Sequence, residues 1–410
     1  MMHWPRNACL LVLAFGLTTE SQADNWPRFR GPNGDGQSSL KGIPSSWSDK
    51  DYAWKVELSS IGHSAPVIWE KTLFVTTATE GGGQRYLHCF DADSGAQRWT
   101  GSLQMTESKK HLKNSWASST PVTDGQHVCV MFADSEKLLV AAWDFAGKQI
   151  WTRNLGPYNS EHGLGVSPII HSGLLIIPNE QVGPSSLIAL NPGTGDVVWE
   201  SSRLEGKTSY STPAIATGSG VDQIITIGES NGFAGTELKT GKLLWQTPRL
   251  PMRTVGSPLI VDGLAFGTCG EGGNGKYFAA VRIDPDPNLK DRIVYERKTT
   301  LPYVPCLLEN QGLLFLWGDK GIMVCLEATT GKEVWAQRID GQFSGSPICI
   351  DNRLFCVTED GIVVVLSAGP EFKELGRTKL GDDCHSTPAV ANGHLYIHSF
   401  RHLFALKARP

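Results

Sequence analysis

The sequence predicts an all-β chain: an eight-bladed β-propeller of four-stranded antiparallel blades, closed by pairing its N- and C-terminal strands. Three observations carry this. A turn-and-tryptophan unit recurs along the 410 residues, a proline-marked strand start recurs in step with it, and 45 Gly with 23 Pro suit hairpins better than helices.

The first marker has a fixed internal spacing. Asp91, Asn191, Glu237 and Glu327 are each followed four residues on by Gly95, Gly195, Gly241 and Gly331. Eight residues on stand Trp99, Trp199, Trp245 and Trp335, and Asp144, Gly147 and Trp151 form a copy one residue shorter. The acidic or Asn side chain accepts from backbone just beyond it, Gly supplies positive φ, and strand formers flank both, so each copy reads as a hairpin. The Trp that follows brings a large apolar ring with one N–H donor, so each is expected to rivet one blade to the next. Trp54 belongs to the same set.

The second marker is a Ser-x-Pro or similar element opening a strand. Its prolines, Pro66, Pro121, Pro168, Pro213, Pro258, Pro305, Pro347 and Pro388, are 41 to 55 residues apart, a blade-length period. Two blades depart from the rule. In blade five the turn is replaced by 283–288 and the Trp slot falls to Tyr295; in blade seven the turn leads to Leu375 with no aromatic. Pro388 is followed by only two more strands, whereas Tyr52 to Val56 is a strand without a blade. The two ends are expected to complete one blade together and leave no open edge between them.

Domain bounds follow. Residues 1–23 read as a secretory signal, with Arg6, an apolar run over 8–17 too short to span a bilayer, and a small-residue cleavage site ending at Ala23. Residues 24–51 form an arm expected to pack across the ring, and 52–410 form the propeller. No later segment suits a membrane helix, so the product is expected to be exported, to the periplasm or the exterior. Net charge of −4 argues against a nucleic-acid partner. Of nine cysteines, Cys9 leaves with the signal and most others sit in apolar strands as buried thiols; Cys349 and Cys356 flank one hairpin and could bridge if register allows.

These residues resemble a known family. The acidic-x-x-Thr/Ser-Gly-x-x-x-Trp element is similar to the tryptophan-docking motif of the pyrroloquinoline quinone (PQQ) type propellers, which include quinoprotein alcohol dehydrogenases and the propeller of the outer-membrane barrel assembly machinery. The opening Asn25-Trp-Pro-Arg-Phe-Arg-Gly-Pro-Asn-Gly34 resembles exported PQQ-repeat proteins of planctomycete-type bacteria. The resemblance implies the ring and leaves activity open, because the docking motif is structural. The quinoprotein enzymes hold PQQ with calcium between an adjacent-cysteine disulfide and a Trp platform, with an Asp as base. Here no two cysteines are adjacent, and Gly381 stands where Cys384-His385 would need a first haem cysteine, so no cofactor ligand transfers and none is expected.

Catalytic-looking strings reduce to turns. Residues 270–276 mimic a phosphate loop, but Tyr277 replaces the Ser/Thr and a strand follows rather than a helix. Residues 228–232 match GxSxG in a slot between strands, without the helix a nucleophile elbow needs. Residues 33–36 lack the remaining ligands of a calcium loop.

What remains is the channel mouth. Residues just before each anchoring proline cluster there: His63, His162, Tyr210, Arg253, Tyr303 and His385, with His63 and His385 made neighbours by closure and able in principle to bind a metal or shuttle a proton. The longest connection, 101–118, offers Lys109, Lys110, His111, Lys113 and Trp116 for recognition. The reading is a non-catalytic exported module that binds or scaffolds a protein or cell-envelope polymer. The alternative is a divergent PQQ-dependent oxidoreductase acting on alcohols or aldose sugars.

Overall fold

Residues 25–218 and 220–409 are described by a computed structural model. The predicted signal at 1–23 lies outside the described residues. Eight antiparallel sheets form the ring. Blade one runs Val67–Trp69, Thr72–Ala78, Gln84–Asp91, Gln97–Gln104, from the axis outward. Six more blades repeat that order. Blade eight takes Ala389–Ala391, His394–His398 and His402–Lys407 from the C-terminal end, and Tyr52–Glu57 pairs antiparallel on His402–Lys407 as its outer strand. Middle strands are covered on both faces, as at Thr72–Ala78, where every residue is buried. Outer strands alternate, as at Val197–Arg203. The apolar core is divided among the joints; Phe315, Trp317 and Cys325 of blade six pack with Leu354, Cys356 and Val364 of blade seven.

The riveting is visible bond by bond. The indole N–H of Trp54 donates to Ala92 O at 3.0 Å, that of Trp99 to Phe145 O at 3.0 Å, and that of Trp151 to Pro192 O at 2.8 Å. Trp199 donates to Leu238 O at 3.1 Å and Trp335 to Gly369 O at 3.2 Å. Every acceptor lies in the turn of the next blade. At four of these joints the ring lies over that turn's glycine: a Cβ built on Gly95, Gly147, Gly195 or Gly241 would come within 2.7 Å of the indole. These glycines also have φ between 72° and 89°, so the turn excludes a side chain for two separate reasons.

Three joints differ. Trp245 is buried, but its N–H donates to Gln223 Oε1 of its own blade at 2.7 Å. The Gln223 amide then donates to Ile283 O of blade five at 2.7 Å, and Arg292 of blade five stacks 4.6 Å over the indole. The joint is made by relay because 283–288 offers no Thr-Gly turn. Tyr295 does occupy the Trp slot, its hydroxyl donating to Ala328 O at 2.7 Å. At blade seven, Leu375 and Trp47 of the arm both pack against the core shared by blades seven, eight and one.

The proline marker requires one correction. The innermost strand of blade six is Leu308–Asn310, which aligns Cys306 and Leu307 with Ser257 and Pro258 ahead of Leu259–Val261. Pro305 therefore precedes the anchoring slot, which Leu307 fills. This register exposes a belt around the channel. The N–H of Ala65 donates to Thr120 Oγ1, Thr120 to Ser167, Ser167 to Thr212 and Thr212 to Ser257, each at 2.9–3.0 Å. Ser257 donates to Cys306 Sγ at 3.2 Å, Cys306 to Ser346 at 3.0 Å and Ser346 to Thr387 at 2.9 Å. Ala65 has no hydroxyl for the eighth step; there His398 Nδ1 donates to Ser64 O at 2.8 Å.

The cysteines from Cys89 to Cys384 are free and buried. Cys349 faces Leu354 across its hairpin, which puts Cys356 two positions off register. Diagonal neighbours on a sheet are too far apart to bridge.

The arm crosses the channel. Trp26 exchanges backbone bonds with Ile68 of blade one at 2.9 Å, and Pro27 O accepts from Thr123 of blade two at 2.9 Å. Arg28 Nη1 reaches Pro213 O at 3.5 Å and Arg30 Nη2 reaches Leu307 O at 2.7 Å, inside blades four and six. Gln37–Ser38 then adds a parallel strand to Ile348–Ile350, and Trp47 N donates to Thr378 Oγ1 at 3.0 Å. One end of the channel is thereby plugged.

Two substitutions separate these devices. Trp199→Ala should lower the unfolding free energy by about 3 kcal/mol, measured by urea denaturation; a change below about 0.5 kcal/mol would mean the ring is not docked. Thr212→Val keeps the shape but strips the acceptor from the buried Ser167 N–H, and should cost about 1–3 kcal/mol. Equal midpoints for Thr212→Val and the parent would show that the belt contributes nothing.

Candidate functional site

The plug turns the open end into a cup. A cavity of about 580 Å3 opens at the mouth, and Phe29 is the arm residue that lines it. Its wall comes from the connections between blades and from the turns joining second to third strands. His63, His162, Tyr210, Arg253, Tyr303 and His385 all lie on this wall, so the residues singled out ahead of the strand starts do converge. Strand direction explains it: each innermost strand starts at the mouth, so whatever precedes it lines the rim.

His63 and His385 are neighbours, with ring centroids 4.7 Å apart, and Phe400 stacks on His63 at 4.7 Å. Burial, helped by the neighbouring His385 and His398, pushes the His63 imidazole well below its ordinary pKa, and burial lowers His385 as well. Both rings are therefore neutral at pH 7. Among the described residues no group of three or more His, Cys, Asp and Glu is arranged to hold a metal ion.

Across the cup, Arg253 Nη1 contacts His162 Nε2 at 2.8 Å and its Nη2 donates to Glu161. Burial and Arg253 together lower His162. Tyr210 shares its hydroxyl with Ser160 at 2.9 Å. Asp319 supplies the carboxylate on the wall, and both oxygens are engaged: Tyr303 N donates to one at 2.7 Å and Val304 N to the other at 3.1 Å. Asp319 thus shapes the loop that presents Tyr303. Asp319 carries no signal in the sequence that marks it for the wall, and Phe29 stands there only as part of the opening motif.

The 101–118 connection divides. His111 and Lys113 line the cup, Lys113 crossing to Glu359 of blade seven at 2.6 Å while its carbonyl accepts from His385 Nδ1 at 3.2 Å. Asn114 Nδ2 ties the same strap to His162 O at 2.7 Å on the other side. Lys109 is exposed away from the wall, and Lys110 sits 4.7 Å over Trp116, whose N–H donates to Ser108 O at 2.6 Å. Lys110 and Trp116 hold the strap's base. The phosphate-loop mimic at 270–276 is the hairpin between Leu264–Glu271 and Asn274–Arg282, and 228–232 the hairpin between Gln223–Gly228 and Gly232–Glu237.

Behind His63 lie His398, fully buried with Nε2 unpartnered among the described residues, and His88, held by Thr77 at 2.7 Å and Thr100 at 3.0 Å. Burial pushes each down to about 4 from an ordinary 6.5. With folded values below unfolded ones, their contribution is intact above pH 6.5 and is lost as pH falls toward 4, where the unfolded chain alone is protonated. For His398 the loss is about 3 kcal/mol. Urea midpoints between pH 7.5 and 4 should fall steeply, and less steeply in His398→Asn, whose amide keeps a donor for Ser64 O. The same slope in both proteins would contradict this.

No curated protein sequence matches significantly. Solved structures share the fold at low identity. The quinohemoprotein alcohol dehydrogenase from Comamonas testosteroni is 12% identical with a TM-score of 0.71, covering 94% of this chain and 81% of its own. A europium-containing methanol dehydrogenase is 11% identical with a TM-score of 0.71, covering 92% and 90%. BamB from Moraxella catarrhalis is 15% identical with a TM-score of 0.62, covering 86% and 97%. No helix among the described residues is long and apolar enough to cross a membrane. The family model described as outer membrane protein assembly factor BamB matches residues 83–266 and 305–369, more than half the chain, and together with the docked ring this shows that the chain belongs to that family of PQQ-type repeat propellers.

Proposed function

We propose that this chain is a non-catalytic exported propeller that binds a protein or cell-envelope polymer at its channel mouth, in the periplasm or outside the cell. The observation that carries the reading is the blind cup itself, a concave site of about 580 Å3 walled by all eight blade connections and floored by Phe29. Its reactive-looking groups are occupied in holding loops: Asp319 caps the 303–304 backbone, Glu359 takes Lys113 and Ser344, and His385 braces the strap. Membership of the BamB family supports a role in interaction.

A PQQ-dependent oxidoreductase is the second reading, favoured by the fold shared with the dehydrogenases. The donor set fits that cofactor poorly. Calcium takes several oxygen ligands, carboxylates foremost, and the carboxylate on this wall spends both oxygens on backbone N–H groups. A single carboxylate already bonded through both oxygens supports the non-catalytic reading over a calcium–quinone seat.

Purified protein incubated with PQQ and calcium should show no bound chromophore and no dye reduction with alcohols or aldoses. Tyr303→Ala, which opens the wall while leaving the Asp319 backbone contacts, should weaken saturable binding to envelope material at least tenfold. Quinone-dependent dye reduction would overturn the reading, as would binding indifferent to Tyr303.

A further inference from the structure

The charges around the cup are unevenly placed. Three cations lie on its wall, each from a different part of the ring: Lys113 on the strap, Arg253 ahead of blade five and Lys320 in blade six. Two more guanidiniums lie in the channel beneath the Phe29 floor, Arg28 and Arg30, which are 4% and 0% exposed. Arg30 Nε and Nη1 have no partner among the described residues, and the carboxylate that acts on Arg28 is Asp35, within the arm itself. A cavity with low-dielectric walls focuses such charge toward its opening.

Three carboxylates oppose the cations of the wall itself. Asp319 is on the wall with its oxygens occupied, while Glu161 and Glu359 sit on the rim and hold Arg253 and Lys113. Glu161 is the more open of the rim pair, its side chain 55% exposed against 11% for Arg253. Its carboxylate thus covers a mostly buried guanidinium from the solvent side, where an incoming carboxylate would meet it. Arg253 Nε is buried and likewise without a partner among the described residues. Among the described residues no ion pair forms on the exposed Lys320.

The remaining lining is flat rings and hydroxyls. Phe29 forms the floor and Tyr210, Tyr303, His63 and His162 stand around it, with Tyr210 and His162 stacked at 18° and 6.0 Å. Because the arm closes the far end, a ligand enters by its tip and cannot thread. A ring that offers C–H faces to aromatics, hydroxyls to polar groups and one carboxylate to Arg253 matches every part of this surface.

We propose that the cup binds a uronic-acid unit at the end of an acidic polysaccharide, its carboxylate taken by Arg253 and Lys320 in place of the rim acid Glu161. This names the ligand class for the mouth-binding function proposed above and rests on it. A bidentate guanidinium–carboxylate contact in a partly buried site is the strong form of such recognition.

The test is calorimetric titration of the purified protein with a trigalacturonate, a neutral maltotriose and a tripeptide with an acidic C-terminal residue. Trigalacturonate should bind saturably, more weakly as salt rises, and maltotriose at least tenfold more weakly. Arg253→Gln should cost about tenfold, the size of a lost charge-assisted contact. Lys320→Gln, an exposed change that breaks no internal ion pair, should cost about two- to fivefold and guards against misfolding of the Arg253 variant. Equal binding of maltotriose overturns the anionic ligand while leaving the mouth as a binding site. Preference for the peptide overturns the sugar. Trigalacturonate binding unchanged in both variants overturns the site, and no binding of any of the three overturns this proposal while a protein partner at the mouth stands or falls on the Tyr303→Ala measurement.

Discussion

The hydrogen bond from an indole N–H to a turn carbonyl in the neighbouring blade organises this molecule. It is directional where the surrounding apolar contact is not, so it fixes how each sheet is rotated against the next as well as that they touch. The glycine under the ring completes the device, because the indole can reach its carbonyl only where no Cβ intervenes. One constraint thus explains the Thr-Gly dipeptide, the spacing to Trp and the strand pairing on either side. The joints that lack the motif show what the motif supplies: Trp245 needs Gln223 as an intermediary and Arg292 as a lid, and blade seven draws on Trp47 from the arm.

Near the axis a different chemistry takes over. Outer strands are held by large rings, whereas the inner ends are held by small hydroxyls, each accepting from the backbone of the preceding blade. Small side chains leave the axis open and big ones fill the periphery. The arm uses that opening. By bringing Arg28, Phe29 and Arg30 into the channel it converts a pore into a cup with an aromatic floor over buried positive charge. Fold and cup are therefore coupled, since the residues that start each inner strand also build the rim.

Repetition made the architecture legible. A unit that recurs five times with one spacing constrains the turn, the strand on each side and the blade count together, and the unmatched strand at Tyr52 to Val56 with its missing counterpart after Leu406 dictated closure. The rim was legible for the same reason, through its place before each inner strand. What failed were places where local identity misled. Pro305 kept the period yet sits two residues early, since Leu307 fills its slot by shape alone. Trp245 carries the motif, but its partner depends on blade five, whose turn was recognised as aberrant without a route to Gln223. The floor was hidden because Phe29 lies far in sequence from every residue it faces. Within the 101–118 strap, composition alone does not separate the basic residues; in the fold His111 and Lys113 face the cup while Lys110 lies over Trp116.

The docked indoles can be observed one by one. In the protein labelled with 15N-tryptophan, hydrogen exchange at the indole N–H groups of Trp54, Trp99, Trp151, Trp199 and Trp335 reports directly on the bonds to Ala92, Phe145, Pro192, Leu238 and Gly369. Docking requires that all five exchange slowly and together, on the timescale of opening the ring. Exchange of those groups at the rate of free tryptophan in a folded protein would contradict it.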